Sequence, residues 1–285
     1  MNTLSHDSGA PFFPGLFVDM PWLEAHLSEP DLRIVQIGGE EYFPQFHIPG
    51  ASLLSYRDLV TIRQGVPGMR ADPAALAPLF GQQGISLDTP VLVYDLGGGM
   101  DAARAAWTLI SLGHPAVALL EGGFGIWFRE KRPMQATFSP RAALSLHLQP
   151  NPAWEATAAE VWAVAQGQQE ALLLDTRTPQ EYLGQNSREP RGHIAGARHF
   201  NWLDALCGLQ DPRLLPEESL RAHFARLGLV DAQQEVMLYC ETAHRASHTW
   251  VLLRHLGFNR VRLYDGSMAE WRLLGYPVVA GQLPR

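Results

Sequence analysis

The chain of 285 residues has few cysteines, no long apolar run and no surplus of basic charge. Two cysteines in this length make no disulfide framework, so stability must come from a packed core. Hydrophobic residues at 46% and charged residues at 18% are ordinary for a globular protein able to build one. The formal net charge of −7 argues against a nucleic-acid or acidic-membrane partner, and it requires any anion site to be a local feature. No stretch reaches the roughly 18 uninterrupted apolar residues of a membrane helix. The first eight residues carry no basic patch and no apolar run, so no signal peptide is expected. Two free thiols fit a reducing compartment, and the cytoplasm is the expected location. There is no zinc-ligand set, no phosphate loop and no dinucleotide fingerprint. Gly97-Gly98-Gly99 is a turn without the further glycine spacing such a site needs, so neither metal nor cofactor is expected.

What is present is one order of elements, written twice. Residues 1–14 read as a loosely held arm. Apolar, β-rich runs at 32–37, 90–94 and 116–120 alternate with helical patterns at 21–27, 72–81 and 101–112. In the second half the strands fall at 171–175, 236–239 and 260–264, and the helices at 157–166 and 217–227. Gly84 and Gly228, Gly113 and Gly257, and Trp127 and Trp271 stand 144 positions apart, and His47 and His193 stand 146 apart. Chance patterning does not keep a nearly constant offset through four anchors, so the chain is a tandem duplication. Alternating strands and helices predict an α/β fold in each half, a mainly parallel sheet flanked by helices. The expected boundaries are 15–130 for the first domain, 131–153 for a linker and 154–285 for the second domain. Residues 144–148 of the linker have a strand-like pattern. In such sheets ligands sit outside the carboxyl ends of the strands.

One stretch concentrates the chemistry: Val236-Met-Leu-Tyr-Cys240-Glu-Thr-Ala-His-Arg245. An apolar run ends in Cys240, and a short polar loop follows. Ala246, Trp250, Leu253 and Leu256 then recur at helical spacing until Gly257 stops the pattern. The reading is strand, loop, helix, with Cys240 as an exposed thiol at the strand's carboxyl end. The unpaired amides and dipole of a helix N-terminus favour the thiolate, which is the nucleophilic form. Arg245 adds a permanent cation. A free cysteine is more usually a buried packing residue; the polar loop, the arginine and the strand-to-helix junction argue otherwise for Cys240. Cys207 lies in a mostly apolar run and is expected to pack.

Cys-x4-Arg after Leu238-Tyr239 resembles the active-site loop of rhodanese-type sulfurtransferases. It is similar to the bacterial branch with a threonine and a histidine inside the loop, here Thr242 and His244. Two-domain members carry the thiol in the second half alone. In this chain Asp95 answers Cys240 at an offset of 145, and Asp101 answers Arg245 at an offset of 144. The first half has thus lost nucleophile and cation, and is expected to serve as scaffold and cleft wall. The resemblance implies a catalytic Cys240. It would take a sulfane sulfur from thiosulfate or a similar donor, 3-mercaptopyruvate among them, and pass it from a persulfide to cyanide or a thiol.

It further implies that Glu241, Thr242, Ala243, His244 and Arg245 form the substrate loop, without a cofactor. Asp175 and Arg177 would brace that loop through ion pairs, with Glu241 as a partner for Arg177. The partners are a small-molecule sulfur donor and acceptor, or a protein that gives or takes the sulfur. Many members have an arginine for the substrate anion where Glu181 stands, and Arg188 or Arg191 would have to replace it. His193 reads as a turn-fixing residue. His244 is open between proton or anion handling and a solvated loop position, and Trp202 between cleft wall and core. Two rival readings stand beside this one. One is a non-enzymatic sulfur carrier loaded by a partner desulfurase. The other is a Cys phosphatase or arsenate reductase of the same fold, disfavoured because those loops hold one more residue between Cys and Arg.

Overall fold

The structure, a computed structural model, describes residues 11–138, 140–185 and 191–281. In the first half the order is β1 (Phe17–Val18), α1 (Met20–His26), β2 (Arg33–Ile37), β3 (Ala51–Leu54) and α2 (Tyr56–Leu59). Then come β4 (Val60–Arg63), β5 (Val66–Arg70), α3 (Pro73–Gly81), β6 (Val91–Tyr94), α4 (Met100–Ser111), β7 (Val117–Leu120) and α5 (Gly123–Arg129). The second half runs β8 (Glu155–Ala156), α6 (Ala158–Ala165), β9 (Leu172–Asp175), α7 (Pro179–Tyr182), β10 (Arg198–His199) and α8 (Glu217–Arg226). It ends with β11 (Val236–Tyr239), α9 (His244–His255), β12 (Val261–Tyr264) and α10 (Ser267–Leu273).

The two five-stranded sheets share one topology. The first has the order β3-β2-β6-β7-β1 and the second β10-β9-β11-β12-β8. Every pairing within them is parallel. The central strands β6 and β11 are buried at all four positions. That is why they read as unbroken apolar runs and not as alternating ones. Local caps fix the entry of several helices. Asp19 accepts from the Trp22 amide at 2.8 Å, and Thr157 with Glu160 closes a capping box on α6. The strand-like stretch at 144–148 joins no sheet. Leu144 N donates to Gly81 O and Gln149 N to Leu112 O, and Leu146 is buried. These are single anchors of an extended segment crossing the first half, not a ladder.

The halves meet along α4 and α9, whose small and apolar residues belong to one core cluster. Polar contacts across this boundary repeat the duplication. Asp265 accepts from the backbone N of Arg70 at 2.8 Å, and Glu121 accepts from the backbone N of Leu214 at 2.8 Å. Both the acids and the amides they cap are 144 positions apart, so the interface is a pseudo-twofold one. Asp265 also takes the guanidinium of the fully buried Arg104 at 2.6 Å, which lies over the Trp107 ring.

Candidate active site

Cys240 follows β11 directly. The register pairs Tyr239 with Asp175 of β9, so the carboxyl ends of the two strands lie side by side beneath the loop. The loop is shaped by its neighbour α10. Cys240 N and Ala243 N both donate to Ser267 Oγ, at 3.2 and 3.0 Å, and that hydroxyl donates to Tyr264 O. Met268 N and Ala269 N donate to the carbonyls of Cys240 and Glu241. Ala243 sits at φ 58°, a left-handed conformation that an alanine adopts at a cost, and α9 begins at the next residue. The matching residue of the first half is Gly99, at φ 80°.

Two expectations about the thiols are corrected. Cys240 is 1% exposed, and Cys207 is the exposed one, with its Sγ bonded to Leu214 O. Cys240 lies at the floor of the loop, and the first half covers the loop from above. The β4–β5 hairpin comes so close that a Cβ on Gly68 would stand 2.8 Å from Thr242 Cβ. Tyr56 stacks on the His244 ring at 4.3 Å between centroids. Asp101, also from the first half, meets His244 Nε2 at 2.6 Å. His244 is therefore a held residue and not a solvated one.

The ion pairs around the loop also differ from expectation. Arg177 is buried and gives its fork to Asp175, at 2.6 to 3.1 Å, and to Gly192 O. Glu241 pairs instead with Arg272 of α10. Asp175 and Arg177 thus brace each other and the turn before His193, and they do not reach Glu241. Arg245, expected as a permanent cation of the substrate loop, donates both ends of its fork to Glu181, at 2.7 and 2.9 Å. Burial pulls the Arg245 pKa down, but the Glu181 bonds and the nearby Cys240 raise it further than burial lowers it. For Glu181, burial pushes the pKa up, and the Arg245 bonds outweigh this and hold it at about 2. Arg188 lies outside the described residues.

A model of the rhodanese-like domain matches residues 19–130 and again residues 157–274. The chain belongs to the rhodanese-like domain family. It is 30% identical to a thiosulfate sulfurtransferase of Azotobacter vinelandii over 90% of this chain and 93% of that protein. It is equally 30% identical to the sulfur carrier protein TtuD of Thermus thermophilus, over 94% of this chain and 98% of the relative. The crystal structure of SseA from Escherichia coli, described as a 3-mercaptopyruvate sulfotransferase, superposes with a TM-score of 0.80. That match covers 89% of this chain and 98% of SseA at 24% identity, which speaks for the fold.

In this rhodanese the thiol-free loop explains what the cysteine loop is built for. Asp95 stands where Cys240 stands in the second half, and its carboxylate accepts from the amides of Gly97, Gly99, Asp101 and Ala102 at 2.9 to 3.3 Å. A loop of this shape is an anion nest, and in the first half the protein's own side chain fills it. Burial pushes the Asp95 pKa up and the Asp101 charge adds to the rise, while the amides of Gly97, Gly99 and Ala102 oppose it. A cavity of about 220 Å³ opens beside it, between Ile37, Leu96, Met100, Asp101 and Trp202. Trp202 therefore lies at the boundary of the halves, with Gly98 beneath its ring. A larger cavity of about 590 Å³ lies among Glu170, Arg198, Glu235 and Arg260, at the amino ends of the second sheet and away from Cys240.

His193 and His47 play matching parts in turns. Each ring bonds a carbonyl, Tyr182 O or Phe43 O, and stacks on the same residue's ring. Three members of the site escape a reading of the sequence: Ser267 as the loop's clamp, Glu181 as Arg245's partner, and Asp101 as His244's partner. Ser267 and Asp101 are distant in sequence from what they hold. Glu181 had a signal, as an acid where the resemblance implied an arginine.

Proposed function

We infer that this rhodanese is a sulfurtransferase working through a persulfide on Cys240. The Cys240 thiolate attacks the outer sulfur of thiosulfate or a similar donor. With thiosulfate, an Sγ–S bond forms, the donor's S–S bond breaks, and sulfite leaves with that electron pair. A thiol or cyanide then attacks the outer sulfur of the persulfide and restores the thiolate, a double displacement that uses no cofactor. The first amides of α9 have no intrahelical partners and can stabilise charge on the sulfur, while Arg245 supports the loop. The observation that carries this reading is the cysteine at the strand's carboxyl end within a nest-shaped loop, roofed by the first half. The four-residue spacing to Arg245 leaves less room for a tetrahedral phosphate or arsenate, and a generic aryl phosphate should not be hydrolysed. The free thiols fit a reducing cytoplasm.

The likeness to a sulfur carrier protein favours one second reading, that the donor or acceptor is itself a protein. The deciding experiment is intact-mass measurement after exposure to thiosulfate, to 3-mercaptopyruvate and to a loaded desulfurase. A gain of one sulfur atom from a small donor, removed by cyanide, supports the enzyme. A gain from the desulfurase alone supports the carrier. No gain from any donor ends both readings.

A further inference from the structure

We propose that Asp101 and His244 form a proton-accepting pair across the two halves, in which His244 is the general base for a thiol acceptor and Asp101 positions it. The proposal rests on the sulfurtransferase reading and deepens its second half-reaction. His244 lies in the cysteine loop, and its Nε2 meets Asp101 of α4 at 2.6 Å. A carboxylate only accepts, so this bond keeps the proton on Nε2 and leaves the Nδ1 lone pair of a neutral ring to act as the base. Among the described residues no partner takes Nδ1. The side chain is 21% exposed, so a small acceptor can reach it. The ring cannot turn freely, because Tyr56 of α2 stacks on it at 4.3 Å between centroids. Asp101 is held in turn, its amide donating to Asp95 at 3.0 Å.

The other charged side chains of the loop are committed elsewhere, Glu241 to Arg272 and Arg245 to Glu181. Tyr56 keeps its proton. Burial pushes its pKa up to about 12, against the charge of Arg104 and with those of Asp101, Cys240 and Asp265. Tyr56 thus touches His244 and lies within the electrostatic reach of Cys240. The duplication adds an independent sign. Met100 stands 144 positions before His244, so the imidazole belongs to the thiol-bearing loop and not to its twin. In the proposed step, His244 Nδ1 takes the proton of R–SH. The thiolate so formed attacks the outer sulfur of the persulfide, an RS–S bond forms, and the Sγ–S bond breaks. Cys240 leaves as the thiolate with that electron pair. Asp101 faces the imidazolium, which then gives its proton to the released persulfide or to solvent.

The test starts from Cys240 loaded with sulfur by whichever donor the wild type accepts, thiosulfate first, then freed of donor and mixed with one of three acceptors at mildly alkaline pH. 2-Mercaptoethanol brings a thiol proton, whereas sulfite and the ionised aryl thiol 4-nitrothiophenolate bring none on sulfur. His244→Gln keeps a donor for Asp101 and cannot take a proton. The ratio of its rate with 2-mercaptoethanol to its rate with sulfite should fall about a hundredfold. Asp101→Asn lets the other tautomer form, because its amide also donates, and the same ratio should fall about tenfold or more. In both variants the ratio of aryl thiolate to sulfite should stay within about threefold of wild type. An unchanged 2-mercaptoethanol ratio in His244→Gln overturns the proposal. An equal fall with the aryl thiolate does so too, since it would make His244 a shaping residue of the loop. A fall in His244→Gln that Asp101→Asn does not share overturns the part given to Asp101. A variant that takes no sulfur from the donor that loads the wild type places the pair in the first half-reaction, which also overturns the proposal. Wild type that takes sulfur from no donor fails the sulfurtransferase reading. Wild type that passes sulfur to sulfite and not to a thiol fails this proposal alone.

Discussion

One hydroxyl, that of Ser267, accepts from two backbone amides of the cysteine loop, and its position is itself fixed by Tyr264 O. Ser267→Ala leaves the buried amides of Cys240 and Ala243 without that acceptor. The expected cost is about 1–3 kcal/mol of stability, read from urea midpoints, together with slower persulfide formation while Cys240 remains present. The two thiols give a sharper test. Cys240→Ser should lose the sulfur gain in intact mass and fall to background in sulfur transfer. Cys207→Ser should keep most activity, since Cys207 lies on the surface and bonds one carbonyl. Activity in the Cys240 variant, or its loss in the Cys207 variant alone, would refute the assignment. Their burial could not be read from local pattern. Polar neighbours in a loop look exposed, yet the roof over Cys240 comes from residues near Tyr56, Gly68 and Asp101.

At the scale of elements, α4 against α9 is the contact that joins the halves, and it carries a titratable group with no charged form to spare. His248 on α9 is fully buried, with Gly99 and the Trp202 and Phe17 rings around it. Burial lowers its pKa from 6.5 to about 4. The unfolded chain therefore takes up a proton below pH 6.5 that the folded one refuses. Stability must fall as pH drops from about 6.5 to about 4, and this term is absent above that window. Burial lowers His114, His193, His223 and His255 as well, so they add slope of the same sign. His248→Gln should remove about one proton from the slope of unfolding free energy against pH, about 1.4 kcal/mol per pH unit within the window. Urea unfolding at several pH values measures this, and an unchanged slope would contradict a neutral, buried His248.

For the whole molecule, one core cluster runs through both halves, from Trp107 to Trp250, and the buried Arg104–Asp265 pair crosses the boundary. The halves should therefore unfold in one calorimetric transition, despite being a duplication. Asp265→Ala leaves Arg104 charged and buried without its partner, and about 3–5 kcal/mol should be lost. Adding Arg104→Met should return part of that loss, because the stranded charge is gone. Two separate transitions in the wild type would contradict a shared core.

The sequence by itself determined the duplication, the parallel α/β architecture and the cysteine loop. Each is written in local signals: β-rich apolar runs, helical periodicity, stop glycines and a motif of six consecutive residues from Cys240 to Arg245. The cap of α1 is local in the same way, since Asp19 and its helix are neighbours in the chain. Tertiary structure alone decided which charges face each other. Glu181 and Arg245 are 64 positions apart, and Asp101 and His244 are 143 apart. Arg177 and Glu241 looked like partners, yet one turned to Asp175 beside it and the other to Arg272 on α10. A charged side chain has many candidate partners of opposite sign along the chain. The choice among them is made by the geometry of packed strands and helices, which no local pattern of residues records.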